Sequence, residues 1–260
     1  MPRYYLDLFS GIGGFALAAY WAGLRFDKHY FSEIEPYAVE LYQKRFPDAE
    51  LLRDIKNVDY SKLPKGEWLV TGGFPCQPHS IAGLKNGEED ERDLWPECTR
   101  MLRELRPTLA LFENVGGIFT SPGRERKGEF FNRVLSDISE SGYAAEWQVI
   151  SAFDIGAPHK RERVWIVAYP ESGGLERPAL VGRTARKSKP KARKEWEQFY
   201  KTPYRNNKIV NWQEIESELC GDDDGLPYDV ERFIGLGNAV VPQCAEMILR
   251  LPAFDLWRAV

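Results

Sequence analysis

The stretch YYLDLFSGIGGFALAAYWAG, residues 4–23, decides the fold. Residues 4–9 form an apolar run typical of a buried strand, and residues 13–23 have the composition of a helix that packs on a core. Glycines lie between the two, where they permit a tight turn and a close approach of the backbone to a ligand. Strand, glycine turn and helix together predict the first unit of an α/β fold.

The same alternation of strand and helix continues to about residue 169. Runs of apolar and β-branched residues alternate with helical patterns, which predicts a doubly wound α/β domain with a mostly parallel sheet. Such sheets bind ligands at the carboxyl ends of their strands. The predicted strands are 4–9, 29–33, 67–71, 108–113, 147–152 and 163–168, and the predicted helices are 13–23, 35–46, 93–105 and 129–141.

The glycine turn has the spacing of a cofactor-binding turn. Gly11, Gly13 and Ala16 satisfy the fingerprint G-x-G-x-x-G/A, and Glu33 follows about 20 residues on, where a carboxylate holds ribose hydroxyls. Asp54 is placed to accept a hydrogen bond from an adenine amine, although a turn or helix cap explains this aspartate equally well. The pattern predicts an adenosine-containing cofactor, and a tight turn without any ligand is the alternative.

Composition narrows the class of protein. The chain has 260 residues, of which 43% are hydrophobic and 28% charged, as in globular proteins. It lacks an apolar run of about 20 residues and a signal-peptide pattern, so we expect a cytoplasmic protein. The four cysteines form no CxxC pair, which predicts free thiols and no metal site. Cys98 and Cys244 fall in predicted helices, where we expect them to be buried.

The texture of the sequence changes after Pro170. Between Glu171 and Lys208 there are 11 Lys and Arg against 4 Asp and Glu, in a chain whose net charge is −4. A basic block in an otherwise acidic protein indicates a polyanionic partner such as nucleic acid, with a solvated basic loop as the alternative. We therefore predict two units: residues 1–169 plus 231–260 form one domain, and residues 170–230 form a small, loop-rich, basic one.

The stretch GGFPCQPHS, residues 72–80, contains the most unusual cysteine. Cys76 follows an apolar strand and lies directly after Pro75, which fixes the backbone. A thiol in this place is a nucleophile, a metal ligand or a small buried hydrophobe. The absence of partner cysteines at zinc spacings disfavours the ligand.

Three further stretches contain polar residues that the predicted strands and turns do not explain. LFENV, residues 111–115, ends an apolar strand with Glu113, a carboxylate that is costly to bury without a partner. APHKRERVW, residues 157–165, contains Arg161 and Arg163 two apart, so that in extended backbone both point to one face and can hold Glu113 or a phosphate. GLGNAVVP, residues 235–242, puts Asn238 in a glycine-flanked turn before a helix.

In this order, these pieces resemble the DNA cytosine-5 methyltransferase family. The resemblance covers roughly residues 4–168 and 231–250, and its specificity lies in the combination of motifs at these spacings. The matching motifs are DLFSGIGGF, SEIEPYA, GGFPCQPHS, RDLW, ENV, QVISAFDIGAPHKRERVWIVA and GLGNAVVP. The family implies the fold of the S-adenosylmethionine-dependent methyltransferases, with the recognition domain in the place of residues 170–230.

The resemblance also implies a mechanism. The Cys76 thiolate adds to carbon 6 of a cytosine that has been flipped out of the duplex, and carbon 5 then takes a methyl group from S-adenosylmethionine. Glu113 binds the ring nitrogen and the exocyclic amine, while Arg163 orients Glu113 with Arg161 nearby. An unperturbed thiol has a pKa near 8.5 and is only about 3% ionised at pH 7, so the thiol must be activated.

Residue by residue, the family implies two sets of contacts. The cofactor pocket is lined by Phe9, Gly11, Gly13, Glu33, Ile34, Asp54, Pro75, Leu94 and Asn238. Gln77 and Ser80 close over double-stranded DNA. The charge of the basic segment, and not a family motif, predicts six phosphate contacts, with solvated charges as the alternative for each: Arg183, Arg186, Lys187, Lys189, Arg193 and Lys194. The expected role is restriction-modification or phage self-protection, in a monomer without an obligate protein partner or membrane contact.

The sequence departs from the family in two places, and other functions compete. His159 stands where the family often has glutamine, and the recognition segment is short.

A dinucleotide-dependent oxidoreductase explains the glycine turn and Glu33 but not the other motifs. A DNA-binding module without catalysis disagrees with the intact Cys76, Glu113 and Arg163, and RNA is an alternative substrate for the same chemistry.

Overall fold

The computed structural model describes residues 1–75, 93–119, 128–155, 161–171 and 239–258. Its helices and strands alternate as the sequence predicts. The strands are β1 Arg3–Leu8, β2 Lys28–Ser32, β3 Glu50–Leu51, β4 Glu67–Gly73, β5 Leu109–Val115, β6 Tyr143–Ser151 and β7 Glu162–Pro170. The helices are α1 Gly14–Trp21, α2 Pro36–Arg45, α3 Trp95–Leu105, α4 Glu129–Glu140 and α5 Pro242–Leu249.

The seven strands form one sheet in the order β3-β2-β1-β4-β5-β7-β6. Strands β1 to β5 are parallel to one another, whereas β7 is antiparallel to both β5 and β6. The prediction of a mostly parallel, doubly wound α/β sheet is confirmed. The strand order reverses direction beside β1, and ligands bind at the carboxyl edge of such sheets at this point.

The two faces of the sheet carry separate apolar cores. One core packs α1, α2 and α5 on the face that holds Tyr5, Leu69, Leu111 and Trp165. The other core packs α3 and α4 on the opposite face. Side chains alternate along a strand, so residues two apart lie on the same face. Four polar residues are each two positions from one of these apolar residues and therefore lie on the first face: Asp7, Thr71, Glu113 and Arg163.

Most helix boundaries agree with the sequence to within two residues, and each has a local cause. Helix α2 begins at Pro36, whose fixed backbone angle suits the first turn of a helix. Helix α1 is followed by Gly23 and α4 by Gly142, both at φ 82°, a conformation that stops a helix. Strand β6 was placed at 147–152 by its apolar pattern, but it begins at Tyr143, four residues earlier.

Two cysteines are as predicted. Cys98 on α3 and Cys244 on α5 are both buried free thiols. Among the described residues, no helix has the length and apolarity to cross a membrane. Within the same residues, no cluster of three or more His, Cys, Asp or Glu is placed to bind a metal ion.

Candidate active site

The glycine turn after β1 has the conformation that its sequence requires. Phe9, Gly11 and Gly13 have φ angles of 51°, 50° and 93°, in the left-handed region that glycine adopts at little cost. The amide of Gly13 donates to the carbonyl of Ser10 at 2.9 Å, which closes the turn. A Cβ on Gly13 would lie 2.8 Å from the Phe46 ring, so glycine is required there by space as well.

Glu33 joins the glycine turn to the end of β2. Its Oε2 accepts a hydrogen bond from the amide of Gly11 at 2.7 Å, and its Oε1 accepts from the amides of Ile34 and Glu35 at 2.8 and 3.0 Å. A carboxylate has about four lone-pair positions, so acceptor capacity for ribose hydroxyls remains. Ile34 is 70% exposed beside it, an apolar surface suited to the face of an adenine ring.

Asp54, Pro75 and Leu94 complete the predicted pocket within the described residues. Asp54 follows β3, and its Oδ1 accepts from the amide of Lys56 at 2.9 Å, so it caps a short helical turn. Pro75 is exposed just after β4, and Leu94 is half-buried at the start of α3. Asp54 thus acts as the cap that its sequence allowed, which leaves its second oxygen as the candidate acceptor for an adenine amine.

Glu113 and Arg163 form an ion pair at the carboxyl edge of the sheet. Arg163 Nε lies 2.8 Å from Glu113 Oε1, and both side chains are largely buried. The ladder fixes this pair, because Arg163 on β7 is opposite Val115 and Glu113 is opposite Trp165. Gly73, the last residue of β4, pairs with Glu113, and a Cβ there would lie 3.4 Å from Glu113 Oε2.

The environment of Glu113 favours its protonated form more than that of an ordinary glutamate. Burial raises the pKa of Glu113 from 4.5 to about 7, against the opposing charges of Arg163 and Arg161. Near neutral pH both protonation states are therefore populated. Such a carboxyl can donate a hydrogen bond to a ring nitrogen or accept one from an amine, as an acid–base residue requires.

Arg161 lies near this pair but not as the sequence predicted. The expectation of an extended backbone across Arg161 and Arg163 is wrong for Arg161, which precedes β7 and has a φ of 32°. Its Nη2 donates to the carbonyl of Ala239 at 2.6 Å. Burial, and then the charge of Arg163, lower the pKa of the Arg161 guanidinium. Arg161 therefore ties the residue after Asn238 to the start of β7.

Asn114 is a site residue to which the sequence assigned no role. Its side chain is buried, and Nδ2 donates to the carbonyl of Phe74 at 3.0 Å, while Oδ1 accepts from the amide of Val115. The contact fixes the chain that leads from β4 into Pro75 and Cys76. An asparagine inside an apolar strand, next to a buried acid, was the signal that could have identified it.

Comparison with known proteins identifies the family. A family model described as C-5 cytosine-specific DNA methylase matches residues 4–224. The chain belongs to this family. The resemblance carried by the sequence motifs is thereby confirmed.

Curated methyltransferases are similar to about two thirds of this chain. The type II methyltransferase M1.ScrFI of Lactococcus lactis subsp. cremoris is 37% identical over 165 residues, which are 63% of this chain and 41% of that protein. The orphan methyltransferase M.Rho11sI of Bacillus phage rho11s is 35% identical over 169 residues, 64% of this chain and 33% of that protein. The match thus spans between a third and a half of these relatives.

A solved methyltransferase structure shares the fold. A triple mutant of DNMT2 from Spodoptera frugiperda matches with a TM-score of 0.56 and 23% identity, over 67% of this chain and 52% of that chain. At this identity the likeness supports the fold alone. The fold class given by the sheet order agrees with that of this methyltransferase.

Several methylase residues predicted from the sequence lie outside the described residues. Cys76, Gln77, Ser80 and Asn238 are among them, as is His159. So is the predicted set of phosphate contacts, namely Arg183, Arg186, Lys187, Lys189, Arg193 and Lys194. The described residues bring together the glycine turn, Glu33, Glu113 and Arg163 at one edge of the sheet.

Proposed function

We propose that this chain is a DNA cytosine-5 methyltransferase that acts through a covalent bond between Cys76 and cytosine. One observation carries the proposal: Glu113 is buried at the carboxyl end of β5, held by Arg163 at 2.8 Å and next to the end of β4. The chain continues from β4 through Pro75 directly to Cys76. A carboxyl able to bind the pyrimidine edge thus lies beside the segment that leads to the candidate nucleophile.

The two cysteines that the structure describes are poor candidates for the nucleophile. Cys98 and Cys244 are buried within the two cores, and burial raises the pKa of the Cys98 thiol well above its ordinary value. A thiolate that attacks a base must be ionised and accessible. Both thiols are buried and so are not accessible to a base. This supports Cys76 in the role that the family motif implies.

Each residue of the pair has a definite chemical task. When the Cys76 thiolate adds to carbon 6, negative charge develops on the pyrimidine ring, and a hydrogen bond from protonated Glu113 to the ring nitrogen stabilises it. Arg163 holds the Glu113 carboxyl in place through Nε. Once carbon 5 carries the methyl group, its proton passes to a base such as water, the double bond between carbons 5 and 6 forms again, and the bond from carbon 6 to sulfur breaks so that the thiolate leaves. The base reaches these groups only when it is flipped out of the helix.

The described residues fit S-adenosylmethionine as the methyl donor. Glu33 would hold the ribose hydroxyls, the exposed Ile34 would pack against the adenine, and Asp54 would accept from its amine. The left-handed backbone at Gly11 leaves open space, since a Cβ there would contact nothing within 4 Å. S-adenosylmethionine, when bound, supplies the methyl group that carbon 5 takes up. Phe9, Gly13, Pro75, Leu94 and Asn238 complete the proposed pocket.

The DNA partner and the domain organisation belong to the same proposal. Residues 170–230 would form the recognition domain, whose basic side chains contact phosphates, and residues 1–169 with 231–260 would form the catalytic domain. Gln77 and Ser80 would contact DNA near the flipped base. The relatives named above are a type II methyltransferase of Lactococcus lactis and an orphan methyltransferase of a Bacillus phage, which supports a proposed role in restriction-modification or phage self-protection.

Covalent trapping tests the proposal. Duplex DNA with 5-fluorocytosine at the target sites should yield a protein–DNA adduct stable to denaturation, because fluorine does not leave as a proton does. The expected result is an adduct that forms with wild type and with Cys244→Ala but not with Cys76→Ala. Methyl transfer to DNA and to tRNA, measured in parallel, distinguishes the substrates. Turnover by Cys76→Ala would contradict the covalent mechanism.

A further inference from the structure

A buried polar network lies directly beneath the glycine turn, and the proposed chemistry does not use it. Asp7 on β1 is fully buried, with Thr71 Oγ1 donating to its Oδ1 at 2.7 Å and Tyr42 OH donating to its Oδ2 at 3.0 Å. The carboxyl also accepts from the backbone amide of Ala16, in the first turn of α1. Asp7 therefore connects β1, β4, α1 and α2 just before the turn begins.

The hydrogen-bond network of Asp7 also includes His29 on β2 and Tyr5 on β1. Tyr42 OH is 2.8 Å from His29 Nε2, and Thr71 Oγ1 is 2.7 Å from Tyr5 OH. Burial lowers the pKa of His29 to about 3, so this histidine is neutral and adds no positive charge to the network. Buried polar groups with every member paired specify one arrangement of the chain, since each broken contact leaves an unsatisfied group.

The ring of Tyr42 forms the floor of the turn. A Cβ on Gly13 would lie 3.2 Å from Tyr42 Cδ2, so the backbone of the turn packs directly on this ring. The ring is also stacked on Phe31 at 4.1 Å between centroids, which fixes its plane. The hydroxyl bound to Asp7 fixes its position along that plane. Asp7 thus contacts both sides of the turn: it accepts a hydrogen bond from Ala16 at the start of α1, and it holds the Tyr42 ring that packs on Gly13.

We propose that Asp7 and Tyr42 are positioning residues for the cofactor turn, which hold Phe9 to Gly13 in the shape that binds the methyl donor without contacting it. This rests on the proposed function. The expected consequence is selective, because a turn with a displaced floor binds the cofactor less well while Cys76 and Glu113 keep their places. A residue with a purely structural role would lower stability without this selective change.

Calorimetric binding of S-adenosylhomocysteine to the full chain tests the proposal without any turnover. Tyr42→Phe keeps the ring and deletes the hydroxyl, and we expect its Kd to rise about 5- to 10-fold, as for one buried hydrogen bond. Thr71→Val provides a second variant of matched volume, with a rise in the same direction. The control is Tyr143→Phe, which deletes another buried tyrosine hydroxyl, bonded to the Pro107 carbonyl at 2.8 Å on the other face.

Steady-state kinetics provide the second readout. Tyr42→Phe should raise the KM for S-adenosylmethionine more than it lowers kcat, and the Asp7→Asn variant, which keeps size and one acceptor oxygen, should do the same. A Kd within twofold of wild type for both Tyr42→Phe and Thr71→Val overturns the proposal, as does an equal rise in Tyr143→Phe. Failure of the wild-type chain to bind S-adenosylhomocysteine instead overturns the proposed function and the proposal with it.

Discussion

At the scale of single residues, Glu113 shows a competition between burial and charge. Two arginines lower its pKa, yet the pKa is raised to about 7 because loss of hydration outweighs both. The free energy lost when the carboxylate is desolvated exceeds the free energy gained from the ion pair, as is often the case for buried charges. The result is a carboxyl that changes its protonation state near neutral pH.

Substitution of Glu113 by glutamine tests this residue. Glu113→Gln keeps the shape but cannot change its protonation, so we expect kcat to fall about 10²- to 10³-fold, as for loss of one transition-state hydrogen bond. The pH–rate profile should also lose its inflection near pH 7. Single-turnover methyl transfer to DNA measures both effects.

The matched control for this variant is Glu162→Gln. Glu162 is exposed and adjacent to Arg163, so its loss changes the local charge equally without touching the pair. Its kcat should stay within twofold of wild type. Equal losses in the two variants would mean that net charge, and not the Glu113 carboxyl, matters.

The residues alone predicted that Arg161 and Arg163 hold either Glu113 or a phosphate, because a buried acid at a strand end requires a cation. The pairing of Glu113 with Arg163 was implied by the family resemblance, and the ion pair agrees with it. The conformation of Arg161 could not, because a positive φ in a residue with a side chain depends on tertiary contacts such as that with Ala239. Asp7 was also missed, since its partners Tyr42 and Thr71 are distant in sequence.

At the scale of elements, the turn between β1 and α1 depends on glycine for two separable reasons. Gly13 has a φ of 93°, and its missing Cβ leaves room for the rings of Phe46 and Tyr42. Gly23, after the same helix, has a φ of 82° with nothing within 4 Å of its Cβ position. Both positions thus require a positive φ, but only at Gly13 would a side chain collide with neighbouring atoms.

Alanine substitutions separate these two reasons. Gly23→Ala should lower the free energy of unfolding by about 1 kcal/mol, the cost of a left-handed alanine. Gly13→Ala should cost about 1–3 kcal/mol more, because the added methyl group overpacks the space against the Phe46 ring. Urea unfolding measures both values. Equal losses would show that crowding contributes nothing at Gly13.

The elements that sequence predicted less well are those with weak local signals. Strand β3 has only two residues, Glu50 and Leu51, too few for any periodicity. Strand β6 begins at Tyr143, and its early residues Ala144 and Ala145 have low strand propensity, so pairing with β7 decides their conformation. Long apolar strands such as β5 were placed within two residues, because burial on both faces gives an unbroken pattern.

At the scale of the whole molecule, one face of the sheet buries two acids whose pKa values are raised. Burial raises the pKa of Asp7 to about 8 and that of Glu113 to about 7. In the unfolded chain both ionise near pH 4, so between pH 4 and 8 the native state binds more protons than the unfolded state. The free energy of unfolding therefore falls as pH rises through this range.

A pH series of unfolding measurements checks this expectation. His29, with its pKa lowered to about 3 by burial, has the opposite effect, but mainly below pH 6.5. Between pH 6.5 and 8 we expect a decline of about 1–2 kcal/mol in the free energy of unfolding, at a limit of about 1.4 kcal/mol per pH unit for each proton. Asp7→Asn should remove most of it.

The control for this series is Asp59→Asn. Asp59 is fully exposed, and the Ser61 hydrogen bond lowers its pKa, so it titrates only in acid. This variant should keep the wild-type decline between pH 6.5 and 8. A flat or rising stability curve in the wild-type chain would contradict the protonated state assigned to Asp7.

The antiparallel direction of β7 determines how the segment between β7 and α5 can be exchanged. The strand starts beside Val115 at the catalytic edge and ends at Pro170, at the opposite edge, whereas Ala239 rejoins the fold next to Arg161. Arg163 and Pro170 are seven residue steps apart along the strand, a distance of roughly 20 Å. Any grafted replacement for residues 172–238 must span that distance, which takes at least about six extended residues. An exchange of the proposed recognition domain therefore needs a connection of at least that length, and a tight hairpin is too short.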